Sequence, residues 1–171
     1  MADKYIYDNG GVDAEKEALA SSSGSSDAGK IIATGSDGKL DESFLPTGIG
    51  AETISAPASE ALSGGNYVNI YTDTGAVKCR KADASTSGKE ANGFVLAAFA
   101  SAAIATVYLP GQLNSECTGL TPGAKEYLSV TTPGGTQETS PTGTGQVRQC
   151  LGVAVSATEM IFSPERPLVK A

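Results

Sequence analysis

Cys79, Cys117 and Cys150 are the softest nucleophiles and metal ligands in the chain, and the chain contains no histidine. Without an imidazole, the Ser-His-Asp and Cys-His relays and every His-containing metal site are excluded. The cysteines are odd in number, far apart and lack CxxC spacing, so they are expected to be reduced and to behave as small hydrophobes. Gly143-Thr144-Gly145 and Gly134-Gly135-Thr136 are rich in glycine as phosphate cradles are. Neither continues into Gly-Lys-Ser/Thr or a third glycine, so both read as turns. Asp37, Asp41 and Glu42 gather three carboxylates without the alternating oxygen ligands of a calcium loop. No serine stands in Gly-x-Ser-x-Gly, and no two carboxylates can be assigned acid and base roles. Lys78-Cys79-Arg80-Lys81 is the one basic cluster. It reads either as a small anion or partner patch or as outward bases protecting a strand edge. The expectation is a non-enzymatic chain with no catalytic residue, no metal and no cofactor.

The elements around these residues follow from composition. The 171 residues include 21 glycines and 8 prolines, which disfavours a helix bundle. Hydrophobic residues at 40% and aromatics at 6% suffice for one modest core. The net charge is −7, with nine acids and four bases in residues 1–50 against ten acids and eight bases in residues 51–171. Such a field repels a phosphate backbone, so direct nucleic-acid binding is not expected. No apolar run approaches bilayer length, and Met1-Ala2-Asp3-Lys4-Tyr5 opens no basic-then-apolar leader, so no membrane partner is expected and synthesis is expected in a cytosol-like compartment.

Two regions are expected, an N-terminal arm over residues 1–50 and a compact β domain over residues 51–171. In the arm, Asp13 is placed to cap a two-turn helix from Ala14 to Ala20. Ser21-Ser22-Ser23-Gly24-Ser25-Ser26 reads as a flexible linker. The stretch from Lys30 to Thr34, a turn at Gly35-Ser36-Asp37-Gly38, and the stretch from Lys39 to Pro46 read as a small β-hairpin or a hooked extended segment. A two-stranded unit is marginal in water, so Ile31, Ile32, Leu40, Phe44 and Leu45 need another surface. That surface belongs to the chain's own domain, a sister subunit or a partner, and Tyr5 and Tyr7 are candidate further anchors.

From about Glu52 short strands alternate with turns. Thr53 to Ala56 is one. Tyr67 to Tyr71 forms a hairpin with Ala76 to Arg80 through Thr72-Asp73-Thr74-Gly75, with Val77 and Cys79 inward and Lys78 and Arg80 outward. Gly93 to Phe99 is continuously apolar, as in a strand covered on both faces, and Ile104 to Leu109 is its expected partner. A helix competes over this alanine-rich stretch; recurring aromatic and β-branched residues favour strands. Further strands are expected over Glu126 to Thr131, Val147 to Val155 with Val147, Leu151, Val153 and Val155 on one face, and Met160 to Phe162, the last before Pro164. Short strands at regular spacing indicate an all-β fold, a small antiparallel β-barrel or sandwich with an extended N-terminal arm.

The run from Gly29 to Pro46, Gly-Lys-Ile plus hydrophobics followed by Asp-Gly-Lys-Leu and a proline, resembles arms of tailed-bacteriophage virion proteins; similar wording occurs in tail-fibre chains. Arg80-Lys81-Ala82-Asp83, Gly93-Phe94-Val95-Leu96-Ala97, Thr106-Val107-Tyr108-Leu109, Gly119-Leu120-Thr121-Pro122-Gly123, Tyr127-Leu128-Ser129 and Gln149-Cys150-Leu151-Gly152-Val153-Ala154 resemble the tailed-bacteriophage capsid decoration, or cement, proteins. The resemblance spans nearly the whole chain from about Gly29 and rests on turns and strands. It implies a compact β domain that oligomerises on the outer capsid surface and reinforces contacts between major capsid protein subunits, with extended segments gripping neighbours. The expected partners are thus the major capsid protein and further copies of the chain, a trimer before a dimer, with the virion as final location and the host cytoplasm as place of synthesis. A tail-fibre or baseplate appendage for host attachment is the alternative.

Overall fold

The computed structural model describes residues 4–45 and 50–171 and divides the chain into two compact units, residues 1–50 and 51–171. Pro46, where the second arm stretch was expected to end, lies outside the described residues.

The first unit opens with an antiparallel hairpin, β1 (Lys4–Asp8) and β2 (Asp13–Glu17), in the register Lys4 to Glu17 through Asp8 to Asp13. The first part of the helix expected from Ala14 to Ala20, up to Glu17, is therefore a strand. Two helical turns are marginal on their own, whereas the alternating Lys4-Tyr5-Ile6-Tyr7-Asp8 run supplies a ladder partner. Gly10 and Gly11 adopt φ of 68° and 91° to reverse the chain between them, a geometry with little cost only for glycine. The Ser/Gly tract beyond is shaped by side chains. Ser25–Asp27 forms a 3-10 turn, and the Asp27 carboxylate accepts from the Ser23 amide at 2.5 Å and from Lys30 Nζ at 2.7 Å.

The second unit is all-β. Its strands are β3 (Thr53–Pro57), β4 (Tyr67–Asp73), β5 (Ala76–Lys81), β6 (Gly93–Phe94), β7 (Ile104–Tyr108), β8 (Leu113–Asn114), β9 (Lys125–Leu128), β10 (Thr136–Gln137), β11 (Val147–Arg148), β12 (Cys150–Ala154), β13 (Met160–Phe162) and β14 (Leu168–Val169). They build one five-stranded sheet in the order β3-β7-β6-β4-β5, a second in the order β10-β9-β12-β13-β8, and the pair β11-β14, all antiparallel. An isolated parallel bridge between Ala58 and Cys79 draws the first sheet's edges together. Among the described residues no sheet closes into a barrel, and the sandwich-like form of the expected all-β class is the one observed.

Consecutive strand residues point to opposite faces, and the centre of the first sheet, β6 and the first residues of β4, is buried on both. Tyr67 and Phe94 turn toward Leu128, Leu151, Met160 and Phe162 of the second sheet. Val68, Val95 and Val107 on the other side pack with Cys79, Ala105 and Leu62. This accounts for the uninterrupted apolar character of residues 93–95. Tyr67 and Phe162 ring centroids lie 5.4 Å apart and those of Phe94 and Phe162 5.9 Å apart, so three aromatics knit the two sheets.

Several expectations shift. The β6 ladder stops at Phe94, and Ala97 and Ala98 are exposed. Ile104–Tyr108 is a strand, not a helix, but pairs mainly with β3 and meets β6 only at Phe94. Val77, expected inward, is exposed because its partner Thr72 lies one pair from the hairpin tip, past the covered part of the sheet. Val153 and Val155 are also exposed. Cys150 pairs with Tyr127 and Gly152 with Glu126, so Leu151 is one extra residue opposite β9, and the bulge reverses which side chains face inward. Val147 and Leu151 point in before it, Ala154 after it. A further strand, β14, follows Pro164 and pairs with β11.

Candidate partner-binding surface

Among the described residues of the first unit none is buried. This follows from what the segment contains: short strands, two 3-10 turns and few large side chains, arranged in pieces too thin to enclose anything.

The hairpin has two unlike faces. Tyr5 and Tyr7, half-buried, share one face with Ala14 and Lys16; the tyrosine rings stand 6.5 Å apart and Lys16 Nζ lies 5.2 Å from the Tyr7 ring. The other face carries Lys4, Ile6 and Asp8 opposite Glu17, Glu15 and Asp13. Ile6 there is 72% exposed, and the nearby turn residue Val12 is exposed as well. Neither was singled out from sequence, although Ile6 sits in the same alternating run as the two tyrosines.

Beyond the hairpin the chain hooks back. The Leu19 amide donates to Ile31 O at 2.9 Å and the Ala33 amide to Leu19 O at 2.8 Å, a single parallel bridge in place of a ladder. Gly35 donates to Lys39 O at 2.8 Å, closing the Asp-Gly turn, and the Asp37 carboxylate accepts from the Lys39 amide at 3.1 Å. The flanking stretches do not pair as strands, so the hooked alternative describes this region. Asp41 caps a 3-10 turn at Glu42–Phe44, accepting from the Ser43 amide at 2.9 Å and its hydroxyl at 2.5 Å. The Ser43 hydroxyl and amide hold the Asp41 carboxyl below its usual range, and the Lys30 ammonium followed by the Ser23 amide does the same for Asp27. Ser22 donates to Ser43 Oγ at 2.7 Å, tying the serine tract to the second stretch.

On this polar frame Ile31 and Ile32 are adjacent and exposed, Ile31 at 52%, and Leu40 and Leu45 are exposed while Phe44 is half-buried. The carboxylates Asp37 and Asp41 are thus occupied in shaping turns. Among the described residues no three His, Cys, Asp or Glu side chains stand together as a metal site.

The second unit's chemistry-bearing groups are similarly committed. Lys78 pairs with Asp73 at 2.7 Å. Arg80 stacks 4.2 Å from the Tyr71 ring centroid, and its Nε donates to Asn69 Oδ1 at 3.0 Å. Two bases of the Lys78-Cys79-Arg80-Lys81 cluster therefore stabilise their own hairpin. All three cysteines are free and buried, and burial pushes the Cys79 and Cys117 thiols up, away from the reactive thiolate. Cys117 and Tyr67 help line a cleft of about 210 Å³ between the Gly64–Tyr67, Glu116–Leu120 and Thr132–Thr136 segments. Tyr67 Oη lies 3.6 Å from Cys117 Sγ. Among the described residues no helix is long and apolar enough to cross a membrane.

Set against protein-family models, curated proteins and solved structures, the chain matches none.

Proposed function

We propose that this chain is a structural virion protein, a head decoration or cement protein that binds the outer surface of a bacteriophage capsid and reinforces contacts between major capsid protein subunits. One observation carries the reading: the first unit buries none of its described residues and leaves Ile31, Ile32, Leu40 and Leu45 exposed. A segment that cannot satisfy its own apolar side chains gains by lying against another polypeptide, at about 25 cal/mol per Å² of apolar surface covered. Ordering it costs roughly 1–2 kcal/mol per residue in backbone entropy, so the receiving surface must be extensive. A shell presenting many identical sites is such a surface, and attachment of one copy of an oligomer raises the effective concentration of the rest. The resemblance of the Gly29 to Pro46 run to phage virion arms points the same way, and the second unit supplies a compact β body.

The test uses the full chain and capsids stripped of it. Ile31→Asp combined with Ile32→Asp is expected to abolish co-sedimentation with capsids while leaving the far-UV spectrum unchanged. Unchanged co-sedimentation would remove the arm as the gripping element. Immunogold labelling of whole particles is expected to mark heads; label confined to tails would replace this reading with the fibre or baseplate one.

A further inference from the structure

The hairpin β1-β2 and the strand β14 present complementary faces. On the hairpin, Ile6 stands opposite Glu15 and is surrounded by Asp8, Asp13 and Glu17, with Lys4 the only base. Lys4 is paired to Glu15 at 3.0 Å, so three carboxylates around Ile6 have no ion-pair partner among the described residues. Asp8 and Asp13 face each other directly across the ladder, an arrangement that destabilises an isolated hairpin.

The β11-β14 pair carries the inverse pattern. Leu168 stands opposite Arg148, and Arg166 and Lys170 flank the two-residue strand, each two positions from Leu168. None of these three bases forms an ion pair among the described residues, and segments 145–151 and 166–171 contain no acidic side chain. Leu168 and Val169 are 52% and 57% exposed, so β14 is uncovered on both faces. Among the described residues it is paired only to β11. Pro167 has no amide hydrogen to offer on that edge, which disfavours extending the sheet through the backbone and leaves recognition to side chains. Each site is one exposed aliphatic residue with two like charges four residues apart flanking it: Asp13 and Glu17 on β2, where the base Lys4 is taken up by Glu15, and Arg166 and Lys170 on either side of β14.

We propose that the acidic face of the hairpin in one chain docks on the basic face of β14 in a second copy, Ile6 against Leu168 and Asp13 and Glu17 against Arg166 and Lys170. The inference rests on the homo-oligomeric part of the proposed function. It supplies the unpaired carboxylates with counter-charges and covers two exposed aliphatics at once. Opposite charges brought together at an interface set register and partner choice as much as affinity.

The test is sedimentation velocity of the full chain without capsids, with circular dichroism as the check on folding. Arg166→Glu with Lys170→Glu is expected to weaken self-association at least tenfold, and Asp13→Lys with Glu17→Lys to do the same. Mixing the two variants in equal amounts is expected to restore association, because each then meets the other's reversed face. For the unaltered chain, raising sodium chloride from 50 to 500 mM is expected to lower association. A monomeric unaltered chain, association indifferent to both reversals and to salt, or no recovery on mixing would each overturn the proposal. Loss of capsid binding with intact, charge-dependent self-association would instead defeat only the capsid reading.

Discussion

Glu126 sits on β9 with 2% of its surface exposed, an acidic side chain in a sheet that faces the core. Burial holds its carboxyl above the ordinary range; a hydrogen bond with Thr136 opposes that in part, and the charge of Glu138 adds to it. Because the folded chain holds this proton more tightly than the unfolded chain, the associated stability is fully present below the unfolded value and is lost as pH rises through the folded one. Glu126→Gln should therefore melt higher than the parent at pH 7 and show a smaller loss of stability between pH 4.5 and 7 in thermal scans. Gln149 makes a different buried contribution. Its side chain accepts from the Ala91 amide at 2.8 Å and donates to the Ala91 carbonyl at 2.9 Å, imitating a strand neighbour. Gln149→Ala leaves both backbone groups buried and unpaired, and urea titration should show a loss of about 2–4 kcal/mol. Neither role was legible in the sequence. Alternation places Glu126 on the face of Leu128 and Gln149 on the face of Val147 and Leu151, but it does not say which partners a carboxyl and an amide find there.

Among the elements, the β4-β5 hairpin was read almost entirely from residue types, since aromatic and β-branched residues flank a Thr-Gly turn with no competing pattern. Its turn residues Thr74 and Gly75 have φ of 48° and 85°, the two-residue geometry matching strand twist, and Thr74 is the wrong residue for it. Thr74→Asn is expected to raise Tm by about 2–4 °C, equivalent to roughly 1 kcal/mol, as measured by calorimetry. The elements misread from sequence have specific causes. Ala14 to Ala20 favours helix by propensity, and its first part, up to Glu17, was claimed by a strand partner upstream. The placing of Val153 and Val155 on one face with Val147 and Leu151 failed because a one-residue bulge at Leu151 has no compositional mark beyond Gly152. That glycine has φ of 152°, and a Cβ there would run into Ile161 O, so the bulge holds β12 and β13 in close approach.

For the whole molecule, the all-β class followed from glycine, proline and short alternating runs, and the exposure of Ile31, Ile32, Leu40 and Leu45 is consistent with their setting in a polar, acidic stretch. How the strands sort into two sheets did not follow, because that order rests on contacts distant in sequence. The two units should differ in hydrogen exchange. Amides of β4, β7 and β12 should be protected in the free chain, those of residues 4–45 should exchange within seconds, and capsid binding should slow the latter by at least tenfold. Uniform protection throughout the free chain would contradict the absence of buried residues among the described residues of the first unit.

The three thiols are sealed inside the second unit, and burial holds two of them protonated. In oxygenated surroundings, none of the three sulfurs is presented for cross-linking one copy to the next. Copies therefore stay covalently separate, and electrophoresis without reductant should show a single chain even after prolonged exposure to air.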